Sequence, residues 1–207
     1  MIFLNYKIVM TKEVEVKFLN IDKQKVISKL EAIGAVKIHD EKLLRRCAYN
    51  LPTPVENSWV RIRDEGDKVT MSFKRVKENS IYGMEEIEII INDFELGRNF
   101  LNSIGLVEKA FQETLRIRYA IPKKNVEFDI DTWPALNPFI EIESVDEATV
   151  KRFARSLGFN WDDRLFGSVD TVYVSEYKIT KNWIVNLCPE LKFDNLPPQL
   201  LPNNKRN

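Results

Sequence analysis

Residues 11–20 read TKEVEVKFLN, and this stretch decides the fold. Glu13, Glu15 and Lys17 lie two residues apart and alternate with apolar side chains. Side chains two apart share one face of a β-strand, so the stretch predicts a strand with a charged face and an apolar face. The pattern leaves open whether the charged face is solvent-exposed surface or the lining of a site.

The overall composition gives no indication of a polyanionic partner. Lys plus Arg and Asp plus Glu both number 31, so the formal net charge is zero, and we expect neither a nucleic-acid nor a membrane partner. No apolar run is long enough to span a bilayer, and the N-terminus lacks the features of a signal peptide. Two cysteines far apart in sequence fit a reducing compartment, so we expect a cytoplasmic protein.

Three stretches predict amphipathic helices that end at Gly34, Gly105 and Gly158. They cover residues 20–34, 92–105 and 145–158. In the second helix, Phe94, Phe100, Leu101 and Ile104 are expected to form the stripe that faces the core.

Seven runs between these helices alternate with period two and predict strands. They read EVEVKF, WVRIRDE, KVTMSFKRV, MEEIEIII, ETLRIRYAI, VEFDIDTW and PFIEIESV. The short links within residues 57–91 favour antiparallel neighbours, so the fold class is α+β. The composition becomes Pro-rich from about residue 180, which divides the chain into a domain over residues 1–180 and a C-terminal tail over residues 181–207.

A faint internal repeat relates the two halves of the domain. A shift of 71 residues places Glu15 on Glu86, Gly34 on Gly105 and Arg45 on Arg116. The order in both halves is strand, helix, Ile-Gly and long strand, which indicates two similar half-barrels. Chance similarity stays open as the alternative, because few positions agree.

Polar side chains on seven segments form pairs two residues apart. The pairs are Glu13 and Glu15, Arg61 and Arg63, Ser72 and Lys74, Glu86 and Glu88, Arg116 and Arg118, Asp129 and Asp131, and Glu141 and Glu143. An ordinary outer surface would not separate Arg pairs from carboxylate pairs in this way. Because the helices cover the apolar faces, we predict an eight-stranded antiparallel closed β-barrel with helices outside and the charged faces inside. The alternative is an α+β domain with solvated sheet faces.

The two kinds of charge indicate the ligand. Six side chains are suited to phosphate oxygens: Lys17, Arg61, Arg63, Lys74, Arg116 and Arg118. Six others offer the carboxylate oxygens that bind Mg²⁺ or Mn²⁺: Glu13, Glu15, Asp129, Asp131, Glu141 and Glu143. Cations and divalent metal in one cavity predict a small-molecule polyphosphate.

The ordered set EVEVK, VRIR, SFK, EEIEI, LRIR, EFDID and FIEIE resembles the CYTH superfamily. These triphosphate tunnel metalloenzymes include thiamine triphosphatases, inorganic triphosphatases and class IV adenylate cyclases. The resemblance covers about residues 11–175 and implies triphosphate held by the six cations above and metal held by the carboxylates. It further implies that Glu86 and Glu88 support Arg side chains or a second metal.

Hydrolysis of a terminal phosphoanhydride is the predicted reaction, with cyclisation of ATP to cyclic AMP as the alternative. The class IV cyclases that the chain resembles carry a His-Phe pair shortly before the E-x-E-x-K strand, where this chain has Lys7 and Ile8. A sensor that binds polyphosphate or nucleotide without turning it over is a further alternative, which the loss of a metal carboxylate would favour.

Tyr49 is a candidate partner of Lys17 in activating water, by resemblance to a Lys and Tyr pair in some family phosphatases. A buried Tyr ring at the end of a strand is the alternative. Trp133 is expected to shape the loop between two tunnel strands. The sequence also allows a homodimer through an exposed strand or the tail, although it contains no coiled-coil heptad.

Overall fold

The computed structural model describes residues 11–53, 55–76 and 84–206, and it describes their side chains except those of residues 11–13 and 84. Lys7 and Ile8 therefore lie outside the described residues. The strands are β1 Thr11–Phe18, β2 Val36–Asn50, β3 Ser58–Asp64, β4 Val69–Val76, β5 Met84–Ile91, β6 Val107–Ile121, β7 Val126–Thr132, β8 Phe139–Ser144 and β9 Glu190–Leu191. The α-helices are α1 Lys23–Ala32, α2 Phe94–Ser103, α3 Glu147–Ser156 and α4 Val169–Glu176.

The eight long strands form one antiparallel sheet in the order β2-β3-β4-β5-β1-β8-β7-β6. β6 also pairs with β2, from Val36 opposite Ala120 to Asn50 opposite Val107, with register shifts along the way. This pairing curls the sheet so that one face becomes concave. The predicted α+β class and eight-stranded antiparallel sheet are confirmed.

The sheet is curled but open along one edge, which corrects the prediction of a fully closed barrel. Among the described residues, β5 pairs with β1 over three residue pairs, Thr11–Glu13 with Met84–Glu86. Further along β1, the Lys17 amide donates to the Leu165 carbonyl at 2.9 Å. Because this edge of β1 pairs with Leu165 there, β5 and β1 are not joined over their full length.

The two halves of the sheet have matching elements. α2 and β6 have the bounds of α1 and β2 shifted by 71 residues. The two long strands β2 and β6 of the two halves pair with each other. The structure therefore agrees with the interpretation of the repeat as two similar halves.

The convex face of the sheet is apolar and packs against the helices. α1 and α3 contribute Leu30 and Val150 to a core that includes Val16, Phe128 and Ile142. The predicted ends of the helices are also confirmed. Gly34, Gly105 and Gly158 directly follow the C-cap residues and have φ of 81°, 90° and 82°, a conformation that favours glycine.

α2 buries a different stripe from the predicted one. Phe94, Gly97 and Leu101 face the sheet, whereas Phe100 and Ile104 are 57% and 54% exposed. With 3.6 residues per turn, positions 94, 97 and 101 share one side of a helix, and the other two project beside it. The expectation that Phe100 and Ile104 are buried was wrong.

The start of α2 is fixed by Asp93, whose Oδ1 accepts from the Leu96 amide at 2.6 Å. Asp93→Ala removes this cap and is expected to lower the free energy of unfolding by about 1 kcal/mol. Asp93→Asn keeps an oxygen acceptor and should stay close to wild type. Urea unfolding of both variants checks this, and equal losses in the two would contradict the capping role.

Residues 181–206 pack against the sheet. Ile184, Cys188, Leu191 and Leu200 are buried in a second core that includes Trp133, and β9 pairs with β6. The division of the chain at residue 180 stays a prediction. No helix among the described residues has the length and apolarity that crossing a bilayer requires.

Candidate functional site

The concave face of the sheet surrounds a cavity of about 920 Å³. Its lining includes Glu15 and Lys17 of β1, Arg61 and Arg63 of β3, Lys74 of β4, Glu86 and Glu88 of β5, Arg116 and Arg118 of β6, Asp129 and Asp131 of β7, and Glu141 and Glu143 of β8. The structure thus brings together all the predicted site residues except Glu13 and Tyr49. Glu13 lies on β1, but its side chain is outside the described set.

Arg116 contacts carboxylates that β7 and β8 present to the cavity. Its Nε and Nη2 donate to the two carboxylate oxygens of Asp131, both at 2.6 Å, and Nη2 also donates to Glu141 at 3.0 Å. Nη1 donates to Asp129. Burial alone would lower the pKa of Arg116, but Asp129 and Asp131 outweigh it and raise the pKa. Arg116 therefore stays charged and holds three strands together.

Lys17 is buried beside two carboxylates. Its Nζ lies 2.7 Å from Glu141 Oε1 and 3.0 Å from Glu15 Oε1, and it donates to the Gly167 carbonyl at 2.6 Å. Burial would lower the pKa of Lys17, but Glu141 and Glu15 raise it above its usual value. Lys17 is thus a buried cation and not a base at neutral pH.

On the side of the cavity formed by β3, β4 and β5, cations are also paired with carboxylates. Arg61 Nη2 donates to Glu86 at 3.2 Å and to Glu88 at 3.3 Å, and Lys74 Nζ lies 2.8 Å from Glu86. These contacts agree with the supporting role that the resemblance implies for Glu86 and Glu88.

Arg63 has a partner that the sequence reasoning missed. Its Nε donates to Glu65 at 2.8 Å, and Glu65 is buried just after β3 ends. Burial, with Arg61 nearby, lowers the pKa of Arg63 to about 10. Because Glu65 lies two residues from Arg63, the same spacing that marked the charged pairs could have found it.

Glu143 differs from the other acids of the cavity. It lies directly opposite Glu15 in the pairing of β1 with β8, and no described residue donates a hydrogen bond to it or forms an ion pair with it. Burial and the charge of Glu15 raise the pKa of Glu143 to about 7. Two facing carboxylates are unfavourable without a cation, so the Glu15 and Glu143 oxygens fit a divalent metal.

Within the described part of the chain, no three acid, His or Cys side chains lie close enough together to hold a metal by themselves. Asp129, Asp131 and Glu141 are each bound by Arg or Lys. The predicted metal ligands therefore stay predictions. Glu15 is likewise held by Lys17, so among the described acids of this set only Glu143 has no ion pair.

Tyr49 lies on the other face of the sheet, which corrects its prediction as a catalytic partner of Lys17. Its ring is buried beside Cys47 and Phe94, and its hydroxyl donates to Glu108 Oε2 at 3.1 Å. Burial and the neighbouring Cys47 raise its pKa, so the phenol stays protonated. Tyr49 shares a face with Cys47 because the two residues are two apart in β2.

Comparison with known families agrees with this arrangement. The model of the CYTH domain matches residues 11–162, which is most of the chain. The chain belongs to the CYTH family.

Solved structures show that this CYTH domain has relatives of the same fold. The PH1012 protein of Pyrococcus horikoshii is 21% identical with a TM-score of 0.62, over 73% of this chain and 93% of that one. A structure described as a putative adenylate cyclase of Vibrio parahaemolyticus is 13% identical with a TM-score of 0.65, over 79% and 98%. No curated protein matches the sequence.

A third solved structure shares the fold. The putative adenylyl cyclase HpAC1 of Hippeastrum is 16% identical with a TM-score of 0.54, over 81% of this chain and 96% of that one. Its description states a dominant triphosphatase activity for that protein. At these identities the likeness shows the fold alone.

Part of the cavity of this CYTH domain comes from outside the matched region. Ser168, Asp170 and Tyr173 line it from α4 and the residue before it, and Lys181 and Ile184 line it from the C-terminal segment. Lys181 Nζ lies 3.2 Å from Asp170 Oδ2. The C-terminal segment therefore forms part of the wall of the cavity as well as part of a core.

Proposed function

We propose that this CYTH domain is a metal-dependent triphosphatase that hydrolyses the terminal phosphoanhydride of a triphosphate compound. One observation carries the proposal. Lys17, Arg61, Arg63, Lys74 and Arg116 are each less than 9% exposed and face one cavity from four different strands. Such a concentration of buried cations is costly unless anions neutralise it.

The cations can exchange partners without moving far. Each of them is already held by at least one carboxylate, so its position is fixed before a ligand enters. A bound triphosphate would offer oxygens to the donors of Arg61, Arg63, Arg116 and Arg118, whose planar groups suit two oxygens at once. Phosphoryl transfer depends mainly on such positioning and charge neutralisation.

The acids complete the proposed site. Glu15 and Glu143 would hold Mg²⁺ or Mn²⁺, with Glu13, Asp129, Asp131 and Glu141 as the further predicted ligands. When bound, such a metal neutralises phosphate charge and lowers the pKa of a bound water. Lys17 stays protonated beside Glu141 and Glu15, so it binds phosphate oxygen and does not act as a base.

The proposed substrate-bound form is a tunnel. The pairing of β2 with β6 already joins the two ends of the strand order, and among the described residues β1 and β5 pair over only part of their length. A triphosphate bound by Lys17 of β1 and by Lys74 of β4 would draw these edges together. The wall from the C-terminal segment supports the same enclosed shape.

Conversion of ATP to cyclic AMP and pyrophosphate is the second candidate, and the cavity is large enough for ATP. About 920 Å³ is near the upper end of the range for sites that enclose a drug-sized molecule, so there is room for a nucleoside beside a triphosphate.

The test is an assay of the purified full chain with inorganic triphosphate, thiamine triphosphate and ATP in Mg²⁺ or Mn²⁺. We expect release of phosphate that stops when a chelator is added. Glu143→Gln removes a cavity carboxylate that holds no cation, so the variant should fold and lose activity by on the order of 100-fold.

Asp163→Asn, an exposed acid outside the cavity, is the matched control and should keep full activity. Cyclic AMP with pyrophosphate as the products would overturn hydrolysis in favour of cyclisation. Tight binding of triphosphate without any turnover would instead indicate a sensor.

A further inference from the structure

Arg46 of β2 lines the cavity but belongs to none of the charged pairs that the sequence shows. It lies directly opposite Arg63 in the pairing of β2 with β3, and opposite the neutral Gln112 in the pairing with β6. Like charges opposite each other destabilise a sheet. Arg46 therefore needs a compensating negative charge.

No described carboxylate supplies that charge through an ion pair. Asp131 is the acid whose charge favours the protonated form of Arg46, but both of its oxygens already accept from Arg116. Burial and the charges of Arg61 and Arg63 lower the pKa of Arg46. Arg46 thus differs from the other cavity arginines, each of which is held by at least one carboxylate.

The guanidinium of Arg46 is nevertheless fixed in place. It lies over the ring of Trp133, with Cζ 4.0 Å from the ring centroid, and that ring is itself only 2% exposed. A guanidinium that lies over an aromatic ring makes this contact without using its N–H groups as hydrogen-bond donors.

Unused donors surround this position. Arg46 Nε, Arg61 Nε and Trp133 Nε1 are buried, line the cavity and have no hydrogen-bond partner among the described residues. Buried donors without partners cost free energy, and all three are N–H groups that only an acceptor can satisfy. A phosphate oxygen is an acceptor and carries the missing negative charge.

We propose that Arg46, held on Trp133, is a further phosphate-binding residue of the cavity and binds the triphosphate from the β2 side. The inference rests on the proposed function, since it assigns Arg46 to the same ligand. In the ligand-free protein Arg46 has no carboxylate to release, so its contacts with phosphate are gained without breaking an ion pair. Its contribution to affinity is therefore large.

The experiment measures binding without turnover. Inorganic triphosphate is titrated into the full chain by calorimetry, once in chelator and once with Mg²⁺. Arg46→Gln is expected to raise Kd about 10- to 100-fold, the factor for losing one or two hydrogen bonds to a charged group. Arg46→Lys keeps the charge without the planar donors, so its Kd should lie between those of wild type and Arg46→Gln.

The neighbouring Arg45 provides the matched control, because its side chain leaves the other face of β2 and pairs with Asp64 outside the cavity. Arg45→Gln should change Kd less than twofold. A second readout separates binding from structure: Arg46→Gln removes an uncompensated charge, so its ligand-free Tm should equal or exceed that of wild type.

The outcomes are distinct. A Kd for Arg46→Gln within twofold of wild type overturns the inference, and so does a wild type that binds no triphosphate in either condition. If Arg46→Gln does not fold, the Kd of Arg46→Lys is compared with that of wild type instead, and a value within twofold of wild type overturns the inference. If wild type binds but turns over no triphosphate, the proposed function fails and a weakened Arg46→Gln still supports this inference.

Discussion

Arg116→Ala is expected to lower the free energy of unfolding by about 3–5 kcal/mol, the usual cost of removing one partner of a buried ion pair. For a chain of this size the loss corresponds to a fall in Tm of roughly 6–20 °C. The reason is that Asp129, Asp131 and Glu141 all contact this guanidinium. Without it, Asp131 has no other cation among the described residues within ion-pair distance.

The same substitution is expected to weaken triphosphate binding by more than about 100-fold, because it removes a two-oxygen contact and leaves repulsive carboxylates behind. Thermal unfolding and calorimetric titration with inorganic triphosphate measure the two effects. Arg155→Ala, an exposed Arg of α3, is the control and should change neither. A Tm within 2 °C of wild type for Arg116→Ala would show that the acids are neutralised in another way.

A double variant separates stability from function. Arg116→Met with Asp131→Leu replaces a buried ion pair by apolar side chains, a change that is often neutral or stabilising. It should recover much of the lost Tm while triphosphate binding stays lost. Recovery of binding together with Tm would indicate that Arg116 serves only the fold.

Leu200→Ala is expected to cost about 2–5 kcal/mol of stability. Leu200 is 0% exposed near the C-terminus and belongs to the core that contains Trp133, Tyr173 and Tyr177. Truncation to alanine leaves a cavity that this core can fill only in part. The expected loss is a large fraction of the 5–15 kcal/mol by which a domain is usually stable.

The adjacent Leu201 is a matched control with the same side chain. It is 42% exposed, so Leu201→Ala should change the free energy of unfolding by less than about 0.5 kcal/mol. Urea unfolding of both variants checks the difference. Equal, small effects would mean that the C-terminal segment is not firmly packed, and the wall that it gives the cavity would then be in doubt.

The charged faces could be predicted because the alternation of side chains between the two faces is a local property of a strand. Lys17 and Arg116 lie in regular alternation, and the structure places both in the cavity. In β2 the sequence RRCAYN puts charged residues at adjacent positions, so it does not indicate which one faces inward. Register shifts between Lys37 and Lys42, where β2 has extra residues relative to β6, further disturb the alternation. For this reason the sequence missed Arg46.

Several other site and core residues were also predicted wrongly or missed. Tyr49 was assigned to the site by resemblance, but its position in β2 sends its ring to the apolar face. Phe100 and Ile104 are as apolar as Leu101, and hydrophobicity alone does not show which rows of α2 reach the sheet. Glu65 was overlooked although it ends the predicted run WVRIRDE and lies two residues from its partner Arg63.

The sequence by itself determined the charge-alternating strands, the three helices that end at glycine and the two kinds of charge along those strands. These features depend on spacings of two to four residues, which the chain carries locally. Only the tertiary structure decided that β2 meets β6, that the sheet is open between β1 and β5, and that Glu143 has no cation partner among the described residues while Arg46 has no acid. Those facts depend on which distant strands become neighbours, and pairing between strands far apart in sequence is not encoded in any local pattern.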